Sequence, residues 1–362
     1  MSRTVTVTVT DAIAANRAAL IMIKEEPFNA EAPHAALRDH ITSTDEHYVR
    51  SNFALPEHDG TLHVAGAVGT PLALTLDDLR AMPAVEHAVT LECAGNGRLD
   101  TKPLPTGEPW GGYAVSTAHW KGARLAEVLA RARPGADGVE LRCEGADHGK
   151  YHLSSVLEDV DDLTFVRSLP LAHAADPAAE ILIAYEMNGE PLRPDHGAPF
   201  RLVVPHWYAV ASVKWLTRLD VLTEPFVGEF QTGHYIYQWP DRPFEPVTHM
   251  RVRARITDPA PGTTIPAGTY TIRGKAWSGA GPITEVGLSF IGESEWSPAV
   301  VEPPQTPYEW QEWRYTWEAT PGRHSLRARA TDAAGNVQPD VPPWNRIGYG
   351  NNAIEISYVE VR

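Results

Sequence analysis

The sequence predicts an α+β domain followed by a β-sandwich of immunoglobulin type. Up to about residue 222, short apolar runs alternate with helical patterns, which is typical of a mixed domain. Beyond a proline-rich stretch at 238–246 the hydrophobic period becomes two. A chain of 362 residues also exceeds what one hydrophobic core usually supports. We therefore expect two domains, residues 1–240 and residues 248–362.

The elements of the first domain are predicted to be short. Residues 1 to about 45 tend towards helix and are irregular. Two later segments, Leu76–Ala81 and Leu125–Ala132, have helical periodicity. Apolar runs of strand length occur at Leu62–Val68, Val89–Cys93, Val139–Cys143, Ile181–Tyr185 and Phe200–Val204.

The second domain is predicted to consist of strands alone. Gly, Pro, Asp or Asn turns separate its apolar runs, as in Asp332–Asn336. About seven short strands with this spacing favour a sandwich. The clearest runs are Met250–Ile256, Tyr270–Trp277, Val286–Phe290, Trp313–Trp317, Ser325–Ala330 and Ile354–Val361.

Composition excludes several classes of protein. The net charge of −15 leaves no basic surplus for phosphates, so nucleic acid is not an expected partner. An anionic ligand must instead meet a local cluster of basic side chains. The two cysteines do not make a disulfide scaffold, and no apolar run is long enough to span a membrane. Because the N-terminus lacks a signal pattern, we expect a cytoplasmic protein, or a periplasmic one if a leader has been removed.

One segment of the first domain, Thr90–Arg98, suggests chemistry. A predicted strand ends there at Cys93 and opens into a loop of small residues, which can present a side chain to a cleft. A buried packing cysteine is one reading. A thiol nucleophile would need a partner histidine, and zinc would need several ligands at short spacing. A soft thiolate donated to a larger cofactor needs only one cysteine.

A resemblance to a known family distinguishes among these interpretations of Cys93. Cys93-Ala-Gly-Asn96 followed by Arg98 resembles the molybdenum-ligating loop of sulfite oxidases and assimilatory nitrate reductases. Further stretches agree in order with the sulfite oxidase family: Tyr48–Asn52, Ala114–Leu125, Ile183–Arg201, Val203–Pro205, Ser212–Leu216, Gly274–Gly279, Asn336–Pro339 and Trp344–Asn345. The chain resembles this family over about residues 48–362. A molybdopterin-binding domain and an immunoglobulin-like dimerisation domain are thereby implied.

The resemblance implies a molybdenum–molybdopterin cofactor with Cys93 as the protein ligand of the metal. A thiolate suits that centre because it is soft and anionic. Cys143 lies in no matching motif and is expected to pack in the core. The positions that match cofactor contacts, including those of a phosphate tail, are Tyr48, Val49, Arg50, Ser51, Asn52, Asp147, His196, Arg201, Ser212, Val213 and Lys214.

The resemblance also implies a substrate pocket for a small oxyanion. Arg50 and Arg98 match arginines that bind the anion, and a guanidinium suits that role through its planar fork and permanent charge. Trp110 matches a tryptophan of the pocket wall, and Tyr235 matches a tyrosine near the metal.

The chain departs from the family pattern at three places. Gly97 replaces an arginine, and His234 replaces an acidic residue. The family's Trp-Asn-Leu-Arg-Gly reads Trp344–Gly348 with arginine one place early, so a pocket role of Arg346 is in doubt. The residues before Tyr48 are too few for a haem domain. Electrons are therefore expected to pass to a separate acceptor, a cytochrome or another carrier.

The function implied is oxidation of sulfite to sulfate by oxygen-atom transfer, carried out by a homodimer. Reduction of nitrate or an S-oxide on the same site is the first alternative. A non-catalytic relative of the fold is the second. Retention of Cys93, Arg50 and Tyr235 together argues against the latter.

Overall fold

A computed structural model describes residues 17–153, 158–290 and 295–362. The strands of the first part are β1 (Ile21–Lys24), β2 (Asn29–Glu31), β3 (Thr61–Gly66), β4 (Leu72–Thr75), β5 (Ala84–Glu92), β6 (Val115–Arg124), β7 (Glu140–Leu153), β8 (Glu158–Pro170), β9 (Leu182–Met187), β10 (Glu190–Pro191), β11 (Arg201–Val203) and β12 (Leu216–Leu222). The helices are α1 (Leu76–Arg80), α2 (Leu125–Ala132) and α3 (Leu171–Ala174). Single turns of 3-10 helix occur at His34–Arg38, Arg98–Asp100, Pro177–Ala179, Pro194–His196 and Ala209–Ala211, and a π-helical turn at Glu229–Gly233.

Two five-stranded sheets carry the first domain. One has the order β10-β9-β6-β5, with β11 also paired to β9. The other has the order β4-β3-β12-β7-β8, in which β12 runs parallel to β3. Leu62 and Leu219 of the second sheet share one buried cluster with Val115 and Ile183 of the first. The main core therefore forms where side chains of the two sheets meet.

The helices end and pack as their sequences dictate. Thr75 caps α1, because its side chain accepts a hydrogen bond from the Asp78 amide while the Asp78 carboxylate accepts one from the Thr75 amide. In α2 the buried residues recur at helical spacing, so one apolar stripe faces the core. They are Leu125, Val128, Leu129 and Ala132.

The second part consists of a short two-stranded sheet followed by a two-sheet sandwich. Its strands are β13 (Ile236–Tyr237), β14 (Glu245–Pro246), β15 (Arg253–Asp258), β16 (Thr264–Ile265), β17 (Gly268–Trp277), β18 (Ile283–Phe290), β19 (Ser297–Pro298), β20 (Val300–Val301), β21 (Gln311–Ala319), β22 (Gly322–Asp332) and β23 (Ile356–Val361). One sheet has the order β15-β17-β21-β20 and the other β16-β23-β22-β18-β19. Ile272 and Trp313 of the first sheet pack with Val286 and Leu326 of the second. The predicted α+β domain followed by an immunoglobulin-like sandwich is confirmed.

One local prediction needs correction. The helical tendency of residues 1–45 holds for only part of the described chain. Residues 17–18 and 34–38 are helical, whereas β1 pairs with β2; residues 1–16 lie outside the described part. Ala30 pairs with Val49, which holds this segment against the rest of the first domain. Tertiary contacts therefore override the local helix propensity. The short strands β13 and β14 pair with each other at the two ends of the proline-rich stretch 238–246. None of the helices formed by the described residues has the length and apolar character needed to cross a bilayer.

Candidate active site

The Cys93 loop begins where β5 ends. The Asn96 amide donates to the Cys93 carbonyl at 2.9 Å, and the Cys93 amide donates to the Ala114 carbonyl at 2.9 Å. Gly97 has a φ of +74°, a left-handed conformation that glycine adopts without strain. At Gly95 a Cβ atom would lie 2.5 Å from the Arg98 guanidinium, so this position has no room for a side chain. The loop turns tightly and leaves Cys93 lining two cavities.

The first cavity brings together every residue predicted to contact the cofactor. Cys93 and Tyr235 also line it. The predicted residues in its wall are Tyr48, Val49, Arg50, Ser51, Asn52, Asp147, His196, Arg201, Ser212, Val213 and Lys214. These residues come from five separate stretches of sequence, and the fold places them around one space.

Positive charge dominates one side of this cavity. Arg201 is buried and donates to the carbonyls of His196 at 3.0 Å and Ser212 at 2.9 Å, with no carboxylate in ion-pairing distance among the described residues. Lys214 Nζ donates to Ser51 Oγ and to the Asp195 carbonyl, both at 2.9 Å. Burial lowers the pKa of Lys214 to about 7, so the ammonium gains from any anion bound beside it. This side of the cavity suits a phosphate group.

Buried polar atoms without a protein partner also belong to residues of this cavity. Oδ1 of Asp147 and Nε2 of His47 make no hydrogen bond among the described residues. Burial raises the pKa of Asp147 to about 6 and lowers that of His47 to about 3. Such atoms are costly unless a ligand satisfies them. A polar heterocycle with an anionic tail therefore fits this space.

The second cavity brings together every residue predicted to contact the substrate. Arg50, Cys93, Arg98, Trp110 and Tyr235 all line it, and Arg50, Cys93 and Tyr235 line both cavities. Cys93 thus lies between two cavities that are both lined by cationic side chains.

The two arginines of the second cavity are held by neutral groups. Arg50 donates to Asn52 Oδ1 at 2.7 Å and to the Tyr235 hydroxyl at 3.4 Å. Arg98 is buried, and its Nε donates to the Ile347 carbonyl at 3.0 Å and its Nη1 to the Glu108 carbonyl at 2.6 Å. Neither guanidinium forms an ion pair with a carboxylate in the ranges that the structure covers. Both charges are left for an anion in the cavity.

Aromatic rings form another part of the wall. Tyr235 stacks on Tyr349 with a centroid separation of 5.2 Å and an interplanar angle of 20°. The Arg98 guanidinium lies 5.4 Å from the Tyr349 ring centroid. Trp110 is fully buried behind the cavity. Removal from water, together with Arg50 and Arg98, lowers the pKa of His234 to about 3, so this side chain is neutral beside the arginines.

Sequence reasoning missed several residues that line these cavities. His47, Asp195 and Trp215 belong to the first cavity, and Tyr151 and Tyr349 to the second. His47 and Asp195 each adjoin a predicted residue along the chain, which is a usable signal. Tyr349 comes from the second domain, and only the folded chain brings it to Tyr235.

Arg346 has no place in either cavity. Its side chain is exposed, and its backbone amide donates to the Gln238 carbonyl at 3.1 Å. Ile347 occupies the neighbouring buried position and supplies the carbonyl that holds Arg98. The doubt about a pocket role for Arg346 is therefore justified.

Comparison with known families agrees with this geometry. Residues 52–230 match the family described as an oxidoreductase molybdopterin binding domain, and residues 245–355 match the Mo-co oxidoreductase dimerisation domain. The fold and the site thus define an oxidoreductase with a molybdenum–molybdopterin cofactor.

Comparison with individual relatives narrows the class of oxidoreductase to which the chain belongs. Mitochondrial sulfite oxidase of Homo sapiens is 37% identical over 92% of this chain and 64% of its own length. Sulfite oxidase of Gallus gallus is 33% identical over 90% of this chain and 74% of its own. An NADH nitrate reductase of Ulva prolifera is 31% identical over 91% of this chain and 42% of its own. The chain belongs to the sulfite oxidase family, and it spans just under two thirds of the human relative.

A solved structure agrees over nearly the whole chain. The sulfane dehydrogenase SoxCD from Paracoccus pantotrophus superposes with a TM-score of 0.80 at 28% identity, covering 93% of this chain and 86% of that one. Both domains therefore have a structural counterpart in one known oxidoreductase.

Proposed function

We propose that this chain oxidises sulfite to sulfate at a molybdenum–molybdopterin cofactor, with Cys93 as the protein ligand of the metal. The observation that carries the proposal is the position of Cys93 between two cavities that each hold unpaired cations. The similarity to two sulfite oxidases supports the choice of substrate.

The first cavity would hold the cofactor. Arg201 and Lys214 would bind its phosphate, because charge-assisted hydrogen bonds are about twice as strong as neutral ones. Asp147 and His47 would satisfy their free polar atoms on the heterocycle. Cys93 would then reach the metal as a soft anionic donor, a role that the oxygen of serine does not reproduce.

The second cavity would hold sulfite. Arg50 and Arg98 supply two permanent charges in an otherwise acidic protein, and they would hold the oxyanion in the cavity that Cys93 also lines. Trp110 and the Tyr235–Tyr349 pair exclude water, which strengthens these interactions. The bound cofactor supplies the oxygen atom that sulfite gains and accepts the two electrons that sulfite loses. These electrons then pass to a separate acceptor.

A comparison of the two cysteines tests the proposal. Cys143 is buried in the main core and lines neither cavity, so Cys143→Ser is a matched control for Cys93→Ser. Sulfite oxidation would be followed with ferricyanide as acceptor, beside molybdenum content and circular dichroism. We expect Cys93→Ser to lose turnover while keeping its fold, and Cys143→Ser to keep turnover. Near-normal oxidation by Cys93→Ser would show that Cys93 is not the ligand.

Nitrate reduction is the second candidate. The similarity to a nitrate reductase favours it, and nitrate is also a small oxyanion that two arginines could bind. Nitrate and a reduced viologen dye would be supplied to the same protein. Faster turnover of nitrate than of sulfite would replace the first proposal. Protein without molybdenum and without either activity would indicate a non-catalytic relative.

We also propose that the chain forms a homodimer through residues from about 248 onward. The match to a dimerisation domain over residues 245–355 supports this assembly. Sedimentation at micromolar concentration should give twice the chain mass of 39.7 kDa. A monomer at that concentration would contradict it.

A further inference from the structure

Arg167 is a fully buried cation close to the substrate cavity. It lies in β8, opposite Cys143 of β7, and its side chain is 1% exposed. Its Nη1 donates to the carbonyl of Phe230 in the π-helical turn Glu229–Gly233. That turn leads directly to Tyr235.

This guanidinium has no compensating negative charge. No carboxylate lies within ion-pairing distance in the described ranges, and Nε has no hydrogen-bond partner there. Burial lowers the pKa of Arg167 to about 10, so the side chain still carries its charge at neutral pH. A buried charge without a partner destabilises a fold. Packing alone therefore gives no reason for an arginine at this position.

The charge lies at one end of an aromatic stack that reaches the cavity. The Arg167 guanidinium is 5.8 Å from the Tyr235 ring centroid. Tyr235 stacks on Tyr349, and Arg98 lies over the far ring at 5.4 Å from its centroid. Two arginines thus enclose two tyrosines, and the Tyr235 hydroxyl is 3.4 Å from the guanidinium of Arg50.

We propose that Arg167 is a positioning residue that strengthens oxyanion binding from behind Tyr235. It holds the turn that carries Tyr235 and adds positive potential to a cavity whose contact arginines are Arg50 and Arg98. The inference rests on the proposed function, since it needs an oxyanion in the second cavity. Arg167 lines neither cavity and is not expected to touch the substrate.

Electrostatics sets the expected size of the effect. At an effective dielectric constant of about 20, charges about 10 Å apart attract enough to change a binding constant by roughly tenfold. The removal of an unpaired buried charge should leave the protein equally stable or more stable. Binding and stability should therefore change in opposite directions, which a purely structural residue would not produce.

Three substitutions test the inference. Arg167→Gln keeps a donor for the Phe230 carbonyl and removes the charge, Arg167→Met removes both, and Arg167→Lys keeps the charge. Sulfate would be titrated calorimetrically into each molybdenum-loaded protein at constant ionic strength, and stability would be measured by urea unfolding. We expect Arg167→Gln and Arg167→Met to weaken sulfate binding about three- to fifteenfold without loss of stability. Arg167→Lys should keep most of the wild-type affinity.

The outcomes separate this inference from the proposed function. If wild-type protein binds sulfate and Arg167→Gln binds it equally well, only the inference fails. If Arg167→Lys and Arg167→Gln bind sulfate equally weakly, the shape of the arginine matters and its charge does not. That result would also overturn the inference. Wild-type protein that binds no sulfate would remove the proposed oxyanion cavity itself. If Arg167→Met does not fold, Arg167→Gln decides by the same criterion.

Discussion

Two groups of buried arginines differ in what surrounds them. Where the second domain meets the Cys93 loop, Arg253 pairs with Glu92 at 3.2 Å, and Arg255 pairs with Glu355 at 3.0 Å. Around the two cavities, the buried arginines contact carbonyls, amides and rings but no carboxylate in the described chain. Arg98 and Arg201 are as buried as Arg255, so the difference between the groups lies in charge compensation.

The paired group holds the Cys93 loop to the second domain. Glu92 is buried and also accepts hydrogen bonds from Asn96 at 2.9 Å and from Trp277 at 2.9 Å. Asn351 donates to the Gly97 carbonyl at 2.6 Å, and the Gly350 amide donates to the Ala94 carbonyl at 2.7 Å. The loop is therefore built from both domains, and its position depends on residues far away in sequence.

The unpaired group has a different use. Buried charges are normally compensated, so cavity-lining arginines that form no ion pair with a described carboxylate suit an anion that binds there. We infer that the paired arginines fix the scaffold and that Arg50, Arg98 and Arg201, which line the cavities, bind ligands. This distinction predicts opposite consequences for substitution in the two groups.

The largest effect is expected for the paired group. Arg253→Met leaves buried Glu92 without its ion-pair partner, while Glu355 keeps Arg255, and should cost about 3–5 kcal/mol of stability. Arg314→Met is the control, because Arg314 forms an exposed pair with Glu302 and should cost less than about 1 kcal/mol. Urea unfolding of both variants makes the comparison. Equal stability of the two would show that the buried network does not hold the domains.

The unpaired group should lose function with little loss of stability. Arg50→Gln or Arg98→Gln removes a charge-assisted hydrogen bond of roughly 1.5–3 kcal/mol, so kcat/KM for sulfite should fall about ten- to a hundredfold. Higher ionic strength should weaken the wild type more than either variant. Molybdenum content measured beside the kinetics separates substrate binding from cofactor loss, since Arg50 lines both cavities. Full metal with unchanged kinetics in both variants would assign the anion to other residues.

The smallest effect concerns a neutral histidine of the cofactor cavity. Burial, with Arg201 and Lys214 nearby, lowers the pKa of His47 to about 3 from 6.5. Below pH 6.5 the unfolded chain takes up a proton that the folded chain does not, so stability falls by about 1.4 kcal/mol per pH unit. His47→Asn should reduce this slope by about half a proton at pH 6.5 and by nearly one proton at pH 5.5. His63→Asn, at an exposed position away from the cavities, is the control substitution. An unaltered slope in His47→Asn would mean that His47 is charged in the fold.

The sequence predicted local features better than features that join distant segments. The apolar stripe of α2 and the turn after Cys93 depend only on residues that are close together in the chain, and both were predicted correctly. The order of the family motifs identified the predicted site residues, and the fold places these residues around Cys93. Arg167, Arg253 and Tyr349 escaped prediction, because nothing local separates a buried arginine from a solvated one.

Sulfate-dependent stabilisation tests the distinction between the two groups most directly. The thermal midpoint of wild type, Arg98→Gln and Arg253→Met would be measured in sulfate and in chloride at equal ionic strength. A ligand that binds only the folded state raises the midpoint. We predict that Arg253→Met has a low midpoint but keeps the sulfate shift, whereas Arg98→Gln has a nearly normal midpoint and loses most of the shift. An Arg98→Gln protein with a low midpoint and an undiminished sulfate shift would contradict the account.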